Sequence, residues 1–201
     1  MSTYPIYLRP ELTPIIAETP EQTTWDLPAM RAGGDALLAN PHEANNRVEV
    51  TARGRTFIPA DLAEDAPLII SIHGGGYVAG RAAFDDAKND ELATRFGAII
   101  VSPEYRLAPE FPFPIPVDDC ISALAEALER FGHERPTFIL GDSAGAGLAY
   151  SMVSRLCGLG LQMAQDEAIA ARYKRIASVI RGIILLEPCV DPTLSTPSSR
   201  F

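Results

Sequence analysis

Four short apolar runs, rich in β-branched residues, follow one another along the chain, and turn residues stop each of them. They cover residues 67–73, 97–102, 136–141 and 180–187. A half-exposed strand alternates apolar and polar positions, whereas a strand buried on both faces is apolar throughout. The runs therefore predict strands in the interior of a parallel sheet.

Segments with helical periodicity separate these runs. They cover residues 85–96, 117–130 and 144–157, and residues 164–176 form a further candidate helix. Strands that alternate with helices require right-handed crossovers, with the helices packed on the faces of the sheet. The pattern predicts an α/β fold with a mostly parallel sheet flanked by helices.

The chain ahead of the first run has a different pattern. Residues 1–45 are polar and interrupted by prolines, with weak helical stretches at 10–16 and 27–38, so they indicate an appendage rather than core. Residues 46–201 would form the core. It would start with a pair of extended strands that have Gly54 at their turn and apolar positions at Val48, Val50, Phe57 and Ile58.

Composition narrows the class of protein. The 201 residues are 47% hydrophobic with a formal net charge of −9, which fits one globular domain with a sizeable core. The basic residues are scattered, which argues against nucleic acid as a partner. No apolar run approaches the ~20 residues of a membrane span, and residues 1–16 lack the apolar region of a signal peptide. We therefore expect a cytoplasmic protein.

The three cysteines, Cys120, Cys157 and Cys189, show no spacing typical of metal ligands. Cysteines of this kind are usually small buried hydrophobic residues in a reducing compartment. We expect no metal and no disulfide framework.

A glycine–serine motif stands where the third apolar run ends and a helix begins. It consists of Gly141, Asp142, Ser143, Ala144 and Gly145. A sharp strand-to-helix turn puts the serine in a strained backbone conformation, and side chains two residues before and after it would collide. The turn would hold the Ser143 hydroxyl above the helix N-terminus, where amide groups favour a developing negative charge.

A glycine-rich loop follows the first apolar run. It consists of His73, Gly74, Gly75 and Gly76. Successive glycines let backbone N–H groups point into a cleft with no side chains in the way. Two such donors and the amide of Ala144 would bind a tetrahedral oxyanion, at about 3 kcal/mol for each donor.

Each motif has a second interpretation. Ser143 would also suit the N-cap of a glycine-rich helix. The glycine loop would also suit a flexible connection or a phosphate cradle. A phosphate loop, however, needs a lysine followed by serine or threonine, and this chain has Tyr77 and Val78 there.

A third motif completes a set that resembles a known family. The sequence YRLAPE at residues 105–110 is followed by Phe113 and Pro114, and the three motifs occur in the order and spacing of the hormone-sensitive-lipase-like esterases. That family consists of α/β-hydrolases that cleave carboxylic esters, usually with short acyl chains. The resemblance extends from about residue 47 to Asp191.

The resemblance implies a role for each motif. Ser143 would be the nucleophile, and the amides of Gly74, Gly75 and Ala144 would form the oxyanion hole. His73 would shape the glycine loop and would not act as the base. Residues 1–45 would form part of a helical cap over the site. The substrate would be a small-molecule ester, with neither a metal nor an organic cofactor.

Two positions depart from the family pattern. Ala146 replaces a glycine that commonly follows the serine motif, which should alter only helix packing. Glu187 replaces a tyrosine in the segment that ends the sixth strand, and this affects a local contact with the cap.

No histidine follows Ser143 in the sequence. His133 precedes the third run and would lie about 25 Å away at the opposite end of that strand. We expect His42 to be solvated. After the serine, we expect Asp166 to lie on a solvated helix face and Asp191 to cap a turn, so neither suits the acid.

In the family the catalytic acid and the histidine follow the serine on the last two strands. We therefore expect both to lie outside these 201 residues. The chain would then be part of a longer esterase, the interpretation we favour, or a complementing chain would supply the rest. Loss of the base costs on the order of a million-fold in kcat, so the chain alone should be nearly inactive. The sixth strand would be an exposed apolar edge that favours self-association.

A different class of function remains open. A catalytically inactive α/β-hydrolase-like module would bind a small ligand or a partner chain, because a fold does not determine a chemistry. The absence of a base favours this alternative. The complete serine motif argues against it, because a binding site has little use for a strained serine.

Overall fold

A six-stranded sheet forms the centre of the molecule. The computed structural model describes residues 26–36, 38, 42–159 and 167–188. The strands are β1 (Arg47–Thr51), β2 (Gly54–Ile58), β3 (Leu68–Ile72), β4 (Ile99–Pro103), β5 (Thr137–Asp142) and β6 (Ile180–Leu186). Their spatial order is β1-β2-β4-β3-β5-β6.

The sheet is mostly parallel, as the apolar runs predict. Strands β3, β4, β5 and β6 pair in parallel, whereas β2 pairs antiparallel with β1 and β4. The turn of the β1–β2 hairpin lies at Ala52 and Arg53, so Gly54 is the first residue of β2 rather than the turn itself. Gly54 has φ 135°, and a Cβ there would lie 2.9 Å from the Glu104 nitrogen, so its lack of a side chain allows the close approach of β4.

One helix precedes β1, and the others connect consecutive strands from β3 onwards and pack on the sheet. The helices are α1 (Leu27–Ala36), α2 (Asp86–Phe96), α3 (Ile115–Phe131), α4 (Ala144–Leu156) and α5 (Glu167–Val179), with a 3-10 helix at Ala82–Asp85. Helix α3 begins two residues before the predicted start at residue 117, because Pro116 suits a first helical turn, where amides have no intrahelical acceptor. The helix predicted at 10–16 lies outside the described residues.

The core has two layers, one on each face of the sheet. Alternate residues of a strand point to opposite faces. The layer on the side of α3, α4 and α5 contains strand and helix residues that are all fully buried: Leu68, Ile70, Ile72 and Ile139 from the strands and Leu124 and Met152 from the helices. The layer on the side of α2 contains Phe57 and Ile100 from the strands, Ala93 from α2 and Ala98 from the turn after it. Burial on both faces explains why the central strands are apolar throughout.

Strand β6 forms one edge of the described sheet. It pairs with β5, and Ile183, Ile184 and Leu186 are 38%, 50% and 43% exposed. An exposed apolar edge is what the sequence predicts for this strand.

The segment before β1 is fixed to α2 by a buried carboxylate. The side chain of Asp90 is 1% exposed, and its Oδ2 lies 3.0 Å from His42 Nε2. The backbone amides of Asn45 and Asn46 donate to the same carboxylate at 2.8 and 3.0 Å. His42 is exposed, as predicted, and its ring also contacts Asp90, a partner 48 residues along the chain.

The cysteines do not all lie in the core. Cys120 is fully buried, as predicted, and burial raises the pKa of its thiol. Cys157 is exposed, so the prediction is wrong there; it follows Leu156, the last residue of α4, and caps that helix. Cys189 lies outside the described residues, as do Asp166 and Asp191. None of the described helices is long and apolar enough to cross a membrane.

Candidate active site

The turn between β5 and α4 holds Ser143 in a strained conformation. Its φ of 52° and ψ of −116° are rare for a residue with a side chain and cost about 1–3 kcal/mol. Its neighbours fix this geometry: the Ser143 amide donates to the Leu186 carbonyl at 2.8 Å, and the Ser143 carbonyl accepts from the Ala146 amide at 3.0 Å. The side chain is exposed. Strain at this serine is a feature that the sequence predicts.

Ser143 occupies the N-cap position of α4, yet its side chain makes no capping hydrogen bond within the described structure. The interpretation of the motif as a simple helix cap is therefore wrong. The hydroxyl remains available for another purpose.

The glycines of the motif are required by close backbone contacts. A Cβ on Gly145 would collide with the Ile72 carbonyl oxygen and lie 2.5 Å from that of His73. A Cβ on Gly141 would lie 2.6 Å from the Ala146 Cα. The turn therefore packs directly against the end of β3, as the collision argument predicts.

The glycine loop after β3 lies beside Ser143. A Cβ on Gly74 would lie 3.4 Å from the Ser143 Cβ. Gly75 adopts φ 125°, and its carbonyl accepts hydrogen bonds from the Val78 and Ala79 amides at 3.2 and 2.9 Å. The loop is a hydrogen-bonded turn, which counts against a freely flexible connection.

His73 is built into the base of this loop. It is 1% exposed, its Nδ1 lies 2.8 Å from the Gly74 carbonyl oxygen, and its ring stacks on Tyr105 with centroids 4.2 Å apart. The Tyr105 hydroxyl donates to the His73 carbonyl at 2.9 Å. Burial lowers the pKa of His73, against the effect of the Gly74 carbonyl, so the ring is neutral near pH 7.

Arg31 of α1 binds backbone carbonyls of two loops near the site. Arg31 Nε donates to the Val78 carbonyl at 2.8 Å, and Nη2 donates to the Ala108 carbonyl at 3.0 Å. The same guanidinium binds both oxygens of Glu110 at 2.9 and 2.8 Å and lowers the pKa of that carboxyl to about 2. The sequence analysis missed Arg31; the acidic end of the YRLAPE motif was the one signal that a basic partner was needed.

The structure does not bring a base to Ser143 among the described residues. His42 is bound to Asp90, and His133 precedes β5 at the end opposite Ser143, as predicted. Asp142 lies beside the serine in sequence and is half-buried. The part of the chain that is described contains no group of three or more metal-binding side chains.

A separate groove lies away from the serine motif and the glycine loop. It is lined by Arg53, Glu104, Arg106 and Asp119 and does not include Ser143. Arg106 is already paired with Asp119, at 2.7 Å. The chemistry of the motifs, rather than this groove, therefore defines the candidate site.

Comparison with known proteins agrees with the α/β fold of the chain. The sequence model described as alpha/beta hydrolase fold matches residues 69–200. Human (Homo sapiens) hormone-sensitive lipase is 30% identical over 139 residues, covering 65% of this chain and 13% of the lipase. Versiconal hemiacetal acetate esterase from Aspergillus parasiticus is 33% identical over 153 residues, covering 70% of this chain and 48% of the esterase.

Solved structures extend the likeness over nearly the whole chain. A hormone-sensitive lipase from a metagenome library has 31% identity and a TM-score of 0.71, and the match covers 94% of this chain and 59% of the lipase chain. A bacterial heroin esterase has 31% identity and a TM-score of 0.73, and the match covers 96% of this chain and 61% of the esterase chain. The chain thus spans less than half the length of the two curated relatives and about 60% of the two solved structures. It belongs to the hormone-sensitive-lipase-like family of α/β-hydrolases.

Proposed function

We propose that the protein hydrolyses small-molecule carboxylic esters with Ser143 as the nucleophile. One observation carries the proposal: Ser143 is exposed and backbone-strained at the start of α4, with Gly74 of the glycine loop beside it. Relatives named as esterases and lipases support the reaction class.

The first step would be attack of the Ser143 oxygen on the ester carbonyl carbon, with the serine proton passing to a base. The carbonyl oxygen becomes an oxyanion, and the amides of Gly74, Gly75 and Ala144 would donate to it. Ala144 is the first residue of α4, so its amide has no acceptor within the helix and lies at the positive end of the helix dipole. Collapse of the intermediate expels the alcohol and leaves an acyl-enzyme, which water hydrolyses.

The base requires a separate proposal. His73 does not suit the role, because it is buried and its Nδ1 faces the Gly74 carbonyl. We propose that a histidine and its orienting acid come from outside these 201 residues, either from further sequence or from a complementing chain. Without a base the rate should fall on the order of a million-fold.

Residues 1–45 suit the cap that the family resemblance implies. Arg31 supports this assignment, because it connects α1 to Val78 beyond the glycine loop and to Ala108. We propose that this segment forms part of a cap over the site.

Labelling with a fluorophosphonate tests the nucleophile in the protein together with the part that supplies the histidine and acid. We expect stoichiometric labelling of the wild type, loss of labelling in Ser143→Ala, and unchanged labelling in Ser122→Ala, which alters an exposed serine on α3. Hydrolysis of p-nitrophenyl acetate should fall at least a thousand-fold in Ser143→Ala.

Equal labelling of Ser143→Ala and wild type would refute Ser143 as the nucleophile. A well-folded protein that includes the proposed histidine and acid, yet neither labels nor hydrolyses the ester, would favour the alternative of a binding module. The observation behind that alternative is the absence of a histidine after Ser143 in the sequence.

A further inference from the structure

We infer that a buried polar cluster between α2 and the sheet is a binding site for internal water molecules. The cluster consists of Arg55, Ser71, His73, Asp86, Asn89 and Ser102. This site does not depend on the esterase proposal, because it rests on buried polar groups behind the glycine loop rather than on the chemistry of Ser143.

The sheet places three of these side chains on one face. Arg55 of β2 pairs with Ser102 of β4, and Ser71 follows the register pair Ile70 and Val101 of β3 and β4. Because strand residues alternate between faces, Ser71 shares a face with Ile69, and Ser102 shares one with Ile100. Both isoleucines belong to the core layer beneath α2.

Helix α2 contributes the other side of the cluster. Asp86 and Asn89 are three residues apart and so lie on one side of the helix. Asp86 Oδ2 lies 2.6 Å from Arg55 Nη2, so this ion pair connects the helix to β2. Ser71, Ser102 and Asn89 are all 0% exposed.

These side chains carry polar atoms without protein partners. Among the described residues, the hydroxyls of Ser71 and Ser102 and both amide atoms of Asn89 are buried and make no hydrogen bond. The same is true of Arg55 Nε and Asp86 Oδ1, although those two residues pair through other atoms. Each buried polar atom left without a partner costs about 1–3 kcal/mol, and such atoms are rare in folded proteins. So many in one place indicate partners that the protein does not provide.

His73 connects the cluster to the glycine loop. Because its Nδ1 faces a carbonyl oxygen, that nitrogen carries the hydrogen, and Nε2 of the neutral ring is an acceptor. Nε2 is buried without a partner in the described structure. The charges of Asp85 and Lys88 act on the pKa of this ring, so the ring lies close to the beginning of α2.

Water is the ligand that fits this set of atoms. Arg55 Nε donates, Asp86 Oδ1 and His73 Nε2 accept, and the Asn89 amide and the two serine hydroxyls do both. The donors repel a cation, and the charge of Asp86 repels an anion. A buried water makes about three hydrogen bonds, so about two or three waters would satisfy the cluster.

A crystal structure of the intact protein at high resolution tests the site directly. We expect about two or three ordered waters at about 2.7–3.2 Å from the Asn89 amide and the hydroxyls of Ser71 and Ser102. Direct bonds between these side chains with no water among them, or a metal ion in the cluster, would overturn the inference.

Oxygen-17 magnetic relaxation dispersion gives an independent test, because it counts long-lived internal waters in solution. We expect Asn89→Leu to remove at least one such water and Ser122→Ala, on the exposed side of α3, to remove none. Ser102→Ala is the milder second variant if Asn89→Leu does not fold. An unchanged count in a folded cluster variant would refute the site.

Discussion

At the scale of single residues, Gly145 shows how strongly backbone contacts restrict the serine motif. It is the second residue of helix α4 and faces the carbonyl oxygens of Ile72 and His73 at the end of β3. A side chain there has no space, because the obstacles are backbone atoms, which cannot move aside as a flexible side chain can.

We expect Gly145→Ala to destabilise the protein by about 1–3 kcal/mol, the usual cost of overpacking. The end of β3 must shift to admit the methyl group, and this moves the glycine loop away from Ser143. Urea denaturation measures the stability, and the rate of fluorophosphonate labelling should fall at the same time.

Gly33→Ala is the matched control. Gly33 lies in α1, and a Cβ there would have nothing within 4 Å. Alanine should stabilise that helix by about 0.5–1 kcal/mol. The steric explanation fails if Gly145→Ala is as stable as the wild type.

Residue-level predictions from sequence succeeded where the cause was local. The strained serine and the glycines beside it follow from the turn itself, so the motif alone was sufficient. Arg31 and His42 have partners 47 or more residues away, at Val78 and Asp90, and no local pattern indicates those contacts.

At the scale of elements, the central strands were the most predictable. Strands β3, β4 and β5 are buried on both faces, and continuous apolar runs are specific for that environment. The ends of elements were less predictable, as at α3, because they depend on caps and loop contacts rather than on periodicity.

The exposed edge of β6 leads to a prediction about association. We expect the 201-residue chain to self-associate, and Ile184→Lys to reduce the associated fraction, because a charge on an edge strand opposes strand pairing. Analytical ultracentrifugation over a range of protein concentrations measures the effect.

Leu159→Lys is the comparison variant, since Leu159 is 69% exposed but lies after α4 rather than on the edge. It should leave association unchanged. If both variants reduce association equally, general hydrophobicity rather than the β6 edge is responsible.

At the scale of the whole molecule, Asp90 joins the segment before β1 to the α/β core. Burial alone would raise the pKa of Asp90, but the hydrogen bonds from Asn45, His42 and Asn46 outweigh it, and the pKa is lowered. The sequence predicted a separate appendage over residues 1–45. Hydrophobic periodicity does not indicate this contact, because the contact depends on one side chain. The division into cap and core remains a prediction.

The lowered pKa makes this connection dependent on pH. Unfolded aspartate titrates near pH ~3.9, so below that value the unfolded chain binds a proton that folded Asp90 does not. The stabilisation by Asp90 is therefore fully present above about pH 4 to 5 and is lost as the pH falls towards the lowered folded pKa.

We expect Asp90→Asn to lower the free energy of unfolding by about 3 kcal/mol at pH 7. The amide hydrogens of the new side chain would face N–H groups that donate hydrogen bonds to the carboxylate in the wild type. Urea denaturation at pH 7, 5 and 3 should show the same deficit at the first two values and a deficit smaller by about 1 kcal/mol at pH 3, where the wild type has lost part of the contribution of Asp90. Asp61→Asn, at an exposed position, should show no such decrease in the stability deficit between pH 5 and pH 3. A deficit for Asp90→Asn that stays constant down to pH 3 would mean that the carboxylate charge is not what holds the segment to α2.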